Sequence, residues 1–472
     1  VSYEAIICKL ENVRKHPNAD KLKLADACNY QVIVGLDSKD GDLGVLFVEG
    51  SWICQEHLKY NNLLKEDGGY FEDTGRVKAK VFRKEKSEGF WQNIESLAWS
   101  KIDLSKLKDG DKITTLGKTL LCGKYYTLET LKVKESNEKN KPKFKFKILS
   151  FPEHFRTEYL KSNIKKIKPD SILYISEKLH GTSGRTGKIL IETKTFWLKA
   201  FLNFLFPSFS KKLNTFSFIE KLNKNTKNRI EFIFKIIYKF LYFIKKIVNV
   251  ITFYNFNALM HLFEKFFYRI NHEYKFISGT RRTTCNFLEN DTTHRKQIHD
   301  YLSTLPMKNG EILYYEIVGY TNTGKFISPQ HKIDEKKLVE KYGPFMQYLY
   351  GCQTNQHKIY VYRITQEING KLKELSWNEM INRCNELGIN HVPYLKTVEI
   401  NSLHFKNDLL KIVEEEVSGS SCLSDKHIKE GVVIRIENNN GMQLLKYKSF
   451  LFCELEGKAR DNKNYVDPEE VE

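Results

Sequence analysis

No two of the nine cysteines (Cys8, Cys28, Cys54, Cys122, Cys285, Cys352, Cys384, Cys422 and Cys453) stand at metal-ligand spacing, and nine is an odd number. Neither a zinc ribbon nor a disulfide framework is supported, so the thiols read as free ones in a reducing, intracellular compartment, cytoplasmic or nuclear. The N-terminus lacks the basic, apolar and small-residue succession of a secretory signal and carries Glu4 and Glu11 early, which argues against secretion. It also lacks an initial methionine, which leaves a removed leader open. Long apolar runs are missing too. Lysines interrupt every run that begins at Ile230, and Asn249, Asn255 and Asn257 break up the next stretch, so no membrane-spanning helix is expected.

What is present is length, apolar mass and positive charge. A chain of 472 residues exceeds one ordinary core and implies two or three domains. Its 41% apolar and 13% aromatic content is enough to bury them. A formal charge of +18 and a pI near 9.2 point to a polyanionic partner, nucleic acid first and an anionic membrane surface second.

Residues 1–120 read as a β-rich module, with strand-like runs at Ala5–Cys8, Gln31–Leu36, Leu43–Val48 and Val77–Phe82 between Asp, Gly and Asn turn clusters. Residues 121–150 read as a linker. Lys132 to Lys147 is mostly Lys, Asn, Glu and Pro without apolar periodicity, which predicts a solvated connector. A second domain is expected over 151–460, opening at Glu153-His154-Phe155 with a short helical stretch to Lys168. Strands are expected at Glu311–Val318, Lys358–Ile364, Gly431–Ile436 and Gln443–Lys448, and helices at Trp377–Gly388 and Phe405–Ser418.

Residues 189–276 differ in character, with 15 Lys/Arg against 5 Glu and no Asp among many Phe, Ile, Leu and Tyr. Lys235, Lys239 and Lys246 fall on one helical face. Three readings stand: a helical insertion that gives a basic wall to a substrate groove, an amphipathic element on a membrane surface, or a poorly ordered insertion.

The motifs lie in a fixed order. Glu177-Lys178-Leu179-His180-Gly181-Thr182-Ser183 follows the apolar run Ile172–Ile175, a pattern that presents one amine beside a small residue. Then come Tyr314-Tyr315-Glu316-Ile317-Val318-Gly319, Tyr360-Val361-Tyr362-Arg363, Glu430-Gly431-Val432-Val433-Ile434-Arg435 and Leu445-Lys446-Tyr447-Lys448. Lysine-x-x-glycine alone is weak; the ordered set is specific. The chain resembles the covalent nucleotidyltransferases, the superfamily of ATP-dependent RNA and DNA ligases and capping enzymes. Lys-x-His-Gly-Thr is similar to the RNA ligases that seal nicks in duplexes. Only 24 residues follow Lys448, which leaves no room for a C-terminal OB domain. The module instead precedes the catalytic part, and His16-Pro17-Asn18-Ala19-Asp20-Lys21-Leu22 resembles the start of OB-type RNA-binding modules, with Arg76–Lys80 and Ser87–Phe90 as their later strand and turn. A barrel that only caps its neighbour is the plainer reading.

The implied fold class is α+β: an N-terminal OB-type β-barrel followed by a nucleotidyltransferase (ATP-grasp-like ligase) domain carrying the helical basic insertion. The resemblance implies Lys178 as the nucleophile that takes AMP from ATP, with Lys446 and Lys448 on one face of a strand supplying positive field. Gly181 would let backbone approach the phosphate, with hydroxyls offered by Thr182 and Ser183. Glu177 would accept a hydrogen bond from the base or ribose, Glu316 would face the ribose, and Tyr362 would stack on the purine. Glu430 would help hold Mg²⁺ or Mn²⁺. Arg281 or Arg282 would contact the sugar or an incoming 5′-phosphate, and related enzymes often carry an acidic residue where Arg363 stands. Either glutamate is otherwise a strand-end residue, Tyr362 a core aromatic, and the two lysines a solvated edge. The expected function is ATP-dependent joining of RNA 3′-hydroxyl and 5′-phosphate ends in a nicked duplex. A GTP-using capping enzyme and a non-catalytic RNA-binding protein are the rivals, and the oligomeric state is open.

Overall fold

The computed structural model describes residues 3–139, 144–155, 157–169, 171–196, 268–288, 290–399, 405–438, 441–467 and 471. The insertion expected over 189–276 lies mostly outside them. Its described ends, expected as helical, are strands, because the alternating segments Ile189–Glu192 and Tyr268–Lys275 extend two long strands.

In β1 (Ala5–Lys15), Ile6, Cys8 and Leu10 occupy one buried face and Ala5 and Ile7 the other, so the strand is covered on both sides. It lies between β2 (Leu22–Ala27) and β4 (Leu43–Val48); β3 (Tyr30–Gly35) joins β2, and β7 (Gly89–Asn93) joins β4. The order β3-β2-β1-β4-β7 curls until its edges meet. Glu88 N donates to Gln31 O at 2.9 Å, and Gln31 N donates to Glu88 Oε2 at 2.9 Å, leaving a nearly closed barrel. Lys112–Ile113 (β8) adds a short pairing to β1.

Only Lys80–Phe82 (β5) of the strand expected over Val77–Phe82 is a strand, and it pairs with Glu85–Ser87 (β6) in a separate hairpin. The hairpin's turn residues, Arg83 and Lys84, both have positive φ, 47° and 72°. The expected connector contains helix α1 (Leu128–Lys139), since Thr127 Oγ1 caps it by accepting from Thr130 N at 3.2 Å and donates to Tyr465 O near the C-terminus.

The catalytic segment has two antiparallel-rich sheets in a mixed α+β arrangement. In the first, β11 (Thr182–Phe196) pairs with β13 (Glu311–Gly319), which pairs with β14 (His357–Ile368) and then β15 (Lys371–Glu374); β12 (Tyr268–Gly279) pairs with β11. Helices α2 (His294–Ser303) and α3 (Trp377–Leu387) cover it, burying Leu302, Met380 and Cys384 against Leu313, Ile317 and Val361. Ser376 starts α3 with a capping box completed by Glu379.

The second sheet runs β9 (Glu158–Tyr159), β18 (Gly441–Lys448), β17 (Gly431–Asn438), β10 (Ile172–Lys178), β16 (Tyr394–Glu399). Helix α4 (Phe405–Val417) packs Leu409 and Val413 on Leu173, Ile175, Val432, Ile434 and Leu445. Among the described residues no helix forms up to Lys168, and β9 and a 3-10 turn at Ile164–Lys166 stand there instead. Leu160, Ile164 and Ile167 have helical spacing and are buried, but Leu160 N is drawn to Lys446 O at 2.9 Å, which commits the backbone to the sheet.

Val1–Pro142, Pro152–Gly187 and Phe276–Glu472 form one unit, so the N-terminal module and the catalytic segment are packed as a single body. Arg76 Nη2 donates to Gly457 O at 2.9 Å, within helix α5 (Phe450–Ala459), and Arg76 Nη1 pairs with Asp461, just past it, at 3.1 Å. Lys161 Nζ donates to both Glu88 oxygens at 2.7 Å. The other unit, Lys143–Phe151 with Lys188–Lys275, shows the strand Lys147–Ile148 antiparallel to Ile191–Glu192. Among the described residues no helix is long and apolar enough to cross a membrane.

Candidate active site

Sheet pairing alone brings three of the motifs together. Lys178, the last residue of β10, pairs with Gly431, and Gly431 pairs on its other side with Lys448. A Cβ at Gly431 would lie 2.1 Å from Tyr447 O, so the strands close up only around glycine. Glu430, just before it, is wholly buried between the two lysines: Lys178 Nζ donates to Oε2 at 2.7 Å, and Lys448 Nζ lies 3.2 Å from Oε1. Burial opposes ionisation of Glu430, but Lys178 and Lys448 outweigh it and hold its pKa down to about 2.

The charges continue inward. Lys448 Nζ is 3.2 Å from Glu456 Oε2, Glu456 Oε1 meets Arg460 at 3.0 Å, and Arg460 meets Asp467 at 2.9 Å. Glu456 is likewise buried, yet Arg460 and Lys448 keep its carboxyl well below the usual range.

Lys178 opens onto a cleft of about 930 Å³, counted to its mouth. Of the expected residues, Glu177, Lys178, Ser183, Arg281, Glu316, Tyr362 and Lys446 line it. Glu430, Gly181, Thr182, Arg282 and Lys448 do not; they stand behind or beside the wall. Lys446 reaches the cleft from the same strand as Lys448 and places its ammonium 4.6 Å from the Tyr159 ring centre. Neither lysine is on a solvated edge, since β18 is flanked by β9 and β17.

Glu177 is buried on the cleft wall. Its Oε2 accepts from Cys422 N at 2.8 Å, while Oε1 accepts no hydrogen bond. A buried acceptor left open at a cleft is suited to a donor on a ligand. Glu316 accepts from Ser183 Oγ at 3.2 Å across the β11–β13 pair. Glu430 Oε1 also accepts no hydrogen bond despite the nearby Lys448. Glu316, on the cleft wall, offers the hard carboxylate that a divalent cation shared with substrate phosphates asks of a protein, while Glu430 stands behind the wall between the two ammonium groups. Among the described residues no group of three His, Cys, Asp or Glu forms a self-sufficient metal cage.

Gly181 is also closely packed: a Cβ there would be 2.2 Å from Ile317 O on β13. His180 turns away from the cleft, its ring 4.8 Å from Tyr348 and 5.0 Å from Phe452, with Nδ1 3.6 Å from Glu430.

Tyr362 and Arg363 are successive residues of a strand, yet both line the cleft. Tyr314 pairs with Arg363 and Tyr315 with Val361, so Tyr362 is the extra residue of a β-bulge that re-aims the pair. The Tyr362 hydroxyl is bonded to His154 Nδ1. Arg363 is held by Glu374, with Nε 2.9 Å from Oε1, and lies 3.8 Å over Phe155 and 4.1 Å over Tyr314. The position is thus a buttress of the wall.

Sequence reasoning missed His154, Phe155, Trp377 and Arg295. Arg295 of α2 donates to Thr182 Oγ1 at 2.9 Å and to Ser183 O at 3.2 Å, fixing residues that follow Lys178. Arg185 does the same for the Arg281 segment through Thr280 O at 3.0 Å and Arg281 O at 2.7 Å. Burial, and then these arginines with Arg363, lower the His154 pKa to about 2, so its ring is neutral. None of the four stands in a motif, and only Phe155 and His154, adjacent in the domain's opening, carried any signal.

A family model described as RNA ligase matches residues 171–448. No curated protein sequence matches the chain significantly. Among solved structures, a ligand-free mutant of the Naegleria gruberi RNA ligase superposes with TM-score 0.54 at 14% identity, covering 98% of this chain and 99% of that one. The same ligase with pyrophosphate gives TM-score 0.53 at 14% identity over 98% and 100% of the two chains. A mutant of it with ATP and Mn gives 0.53 at 14% identity over 95% and 98%. At this identity the likeness is one of fold.

Proposed function

Because the chain belongs to the RNA ligase family, we propose that it is an ATP-dependent enzyme that joins an RNA 3′-hydroxyl to a 5′-phosphate through a lysyl-AMP. The observation that carries the reading is the position of Lys178, a lysine at the cleft wall whose amine is ion-paired to a fully buried carboxylate, Glu430, at 2.7 Å. The ammonium gives its proton to water, and the lone pair of Nζ forms a bond to the α-phosphorus of ATP while the bond to the β-phosphate oxygen breaks and pyrophosphate leaves. An RNA 5′-phosphate oxygen then takes the AMP from Lys178, and a 3′-hydroxyl attacks that phosphate and releases AMP. Lys446, on the cleft wall, faces the charge that accumulates on the phosphates. Tyr362, Trp377 and Phe155 give the base apolar walls, and Glu177 Oε1 receives its amino group.

A divalent cation at Glu316 on the cleft wall would offset negative charge on the phosphates, and the metal role expected of Glu430 would require its carboxylate to leave the two ammonium groups that hold it. The Naegleria gruberi ligase solved with ATP and Mn supports ATP and a divalent ion here. The barrel order β3-β2-β1-β4-β7 supports an OB-type module, and the +18 charge supports an RNA partner, which we take to be a nicked duplex. Incubation with α-labelled ATP and a divalent cation, followed by denaturation, tests the reading. An acid-labile label that disappears with excess EDTA and in Lys178→Ala is expected. Label persisting in Lys178→Ala would remove the nucleophile assignment, and label with GTP alone would move the protein to capping chemistry.

A further inference from the structure

We propose that the β5–β6 hairpin, Lys80 to Ser87, is a docking surface for the phosphates and one base of the RNA strand as it leaves the catalytic cleft. The proposal deepens the RNA ligase reading and rests on it.

Four cations, Lys80, Arg83, Lys84 and Lys86, stand against one acid, Glu85, in this eight-residue segment. All four are exposed, and among the described residues none is within ion-pair distance of a carboxylate. Between them Val81 is 50% and Phe82 45% exposed. Arg83 lies 5.8 Å over the Phe82 ring and His16 6.5 Å from it, and cations beside this half-exposed aromatic offer charge to an RNA backbone and a ring edge to a base at a strand end.

The turn supports function over folding. Two-residue hairpin turns that need positive φ favour Asn-Gly, yet this one holds Arg83 and Lys84 at 47° and 72°. A two-stranded ribbon is marginal in water by itself, and this one is kept in place from outside: Asn18 Nδ2 donates to Arg83 O at 2.8 Å, Arg83 Nη1 to Asn18 O at 3.2 Å, and Gln31 Nε2 to Lys86 O at 2.9 Å. Its base adjoins the active site, because Lys86 lies 5.3 Å over the Phe450 ring, two residues past Lys448. Lys446 of the cleft wall also lines a second recess with Phe450 and with Ala79 and Glu88, which flank the hairpin, so a polymer that passes Lys446 can reach the hairpin by that recess. That continuity with the catalytic lysines favours a polynucleotide over a lipid surface.

The test uses the full chain, a labelled nicked RNA duplex and vesicles containing phosphatidylserine. Arg83→Asn with Lys84→Gly installs the favoured turn, so the folded state should gain thermal stability. RNA binding should nonetheless weaken by about tenfold at physiological salt, with the slope of log affinity against log salt shallower by about 1.8, the share of two phosphate contacts. Lys80→Gln with Lys86→Gln should act the same way without altering the turn. Self-adenylylation should be unchanged in both, and its absence in the unaltered protein would count against the ligase reading alone. Unaltered RNA affinity and salt slope in both variants would overturn the hairpin's role. So would loss of vesicle binding with RNA binding intact, which would assign the surface to a membrane.

Discussion

Lys178 and Lys448 never touch, yet they share one carboxylate: Glu430 lies 2.7 Å from the first ammonium and 3.2 Å from the second. The pairing is set by backbone, since Gly431 sits in register between the two lysines. The charge of Lys178 is therefore balanced from inside the protein before any nucleotide enters.

Glu430→Gln removes that balance and leaves two ammonium groups around a neutral amide. Adenylylation should fall by about a hundredfold or more, the scale of losing a few kcal/mol of electrostatic support. The pH dependence has a definite sign. The folded carboxyl has a pKa of about 2 against an ordinary 4.5, so the folded state binds fewer protons than the unfolded one between those values. Its stabilising contribution, on the order of 3 kcal/mol, is complete above about pH 4.5 and disappears as pH falls towards 2. Urea unfolding from pH 5 to pH 2 should show a shallower loss in Glu430→Gln than in the unaltered protein; parallel curves would contradict the ion-pair account.

Gly181→Ala tests whether packing or phosphate approach demands the glycine. The added methyl meets Ile317 O at 2.2 Å. Strand β13 has to shift, so the variant should lose several kcal/mol of stability, at or above the about 1–3 kcal/mol of ordinary overpacking. Thermal unfolding without nucleotide reads this directly, and an unchanged Tm would return the glycine to the phosphate.

His154→Phe keeps a ring beside Tyr314 and deletes the bond to the Tyr362 hydroxyl. Loss of one hydrogen bond of about 1 kcal/mol corresponds to roughly fivefold in affinity. The KM for ATP should rise by about that factor, with kcat nearly constant, as should happen in Tyr362→Phe. Additive effects in the double variant would show that the two residues act separately.

Arg76→Ala loosens the module. Its guanidinium is buried, donates to Gly457 O at 2.9 Å, pairs with Asp461 at 3.1 Å and lies 5.0 Å over Tyr125. Removal leaves a buried carbonyl unpaired and should cost about 2–4 kcal/mol. Limited proteolysis should then cut between the barrel and α5 at lower protease concentration than in the unaltered chain.

The motif strands were legible because each is rich in apolar, β-branched and aromatic residues, and two of them end at a motif lysine, Lys178 or Lys448. The expected Gly431–Ile436 and Gln443–Lys448 are the cores of the observed Gly431–Asn438 and Gly441–Lys448, and Trp377–Leu387 carries its apolar residues at helical spacing. What escaped was decided at a distance. Helix Leu128–Lys139 has almost no apolar face of its own and forms where Thr127 meets Tyr465. The segment Leu160–Ile167 has a helix's spacing but is claimed by a hydrogen bond from a strand nearly 290 positions later. Arg295 reaches Thr182 from another element, so no local pattern announces it. Tyr362 was identifiable by motif order, but its orientation depends on a bulge that the sequence does not display.

The file of alternating charges from Lys178 through Glu430, Lys448, Glu456 and Arg460 to Asp467 restricts how this protein can vary over generations. Each interior member neutralises two neighbours, so losing one strands a charge on either side of the gap. Lineages are free to drift at these positions only through paired exchanges, and the interior members should covary with one another more tightly than with any residue on the cleft surface. Asp467 is by this route inherited together with Lys178.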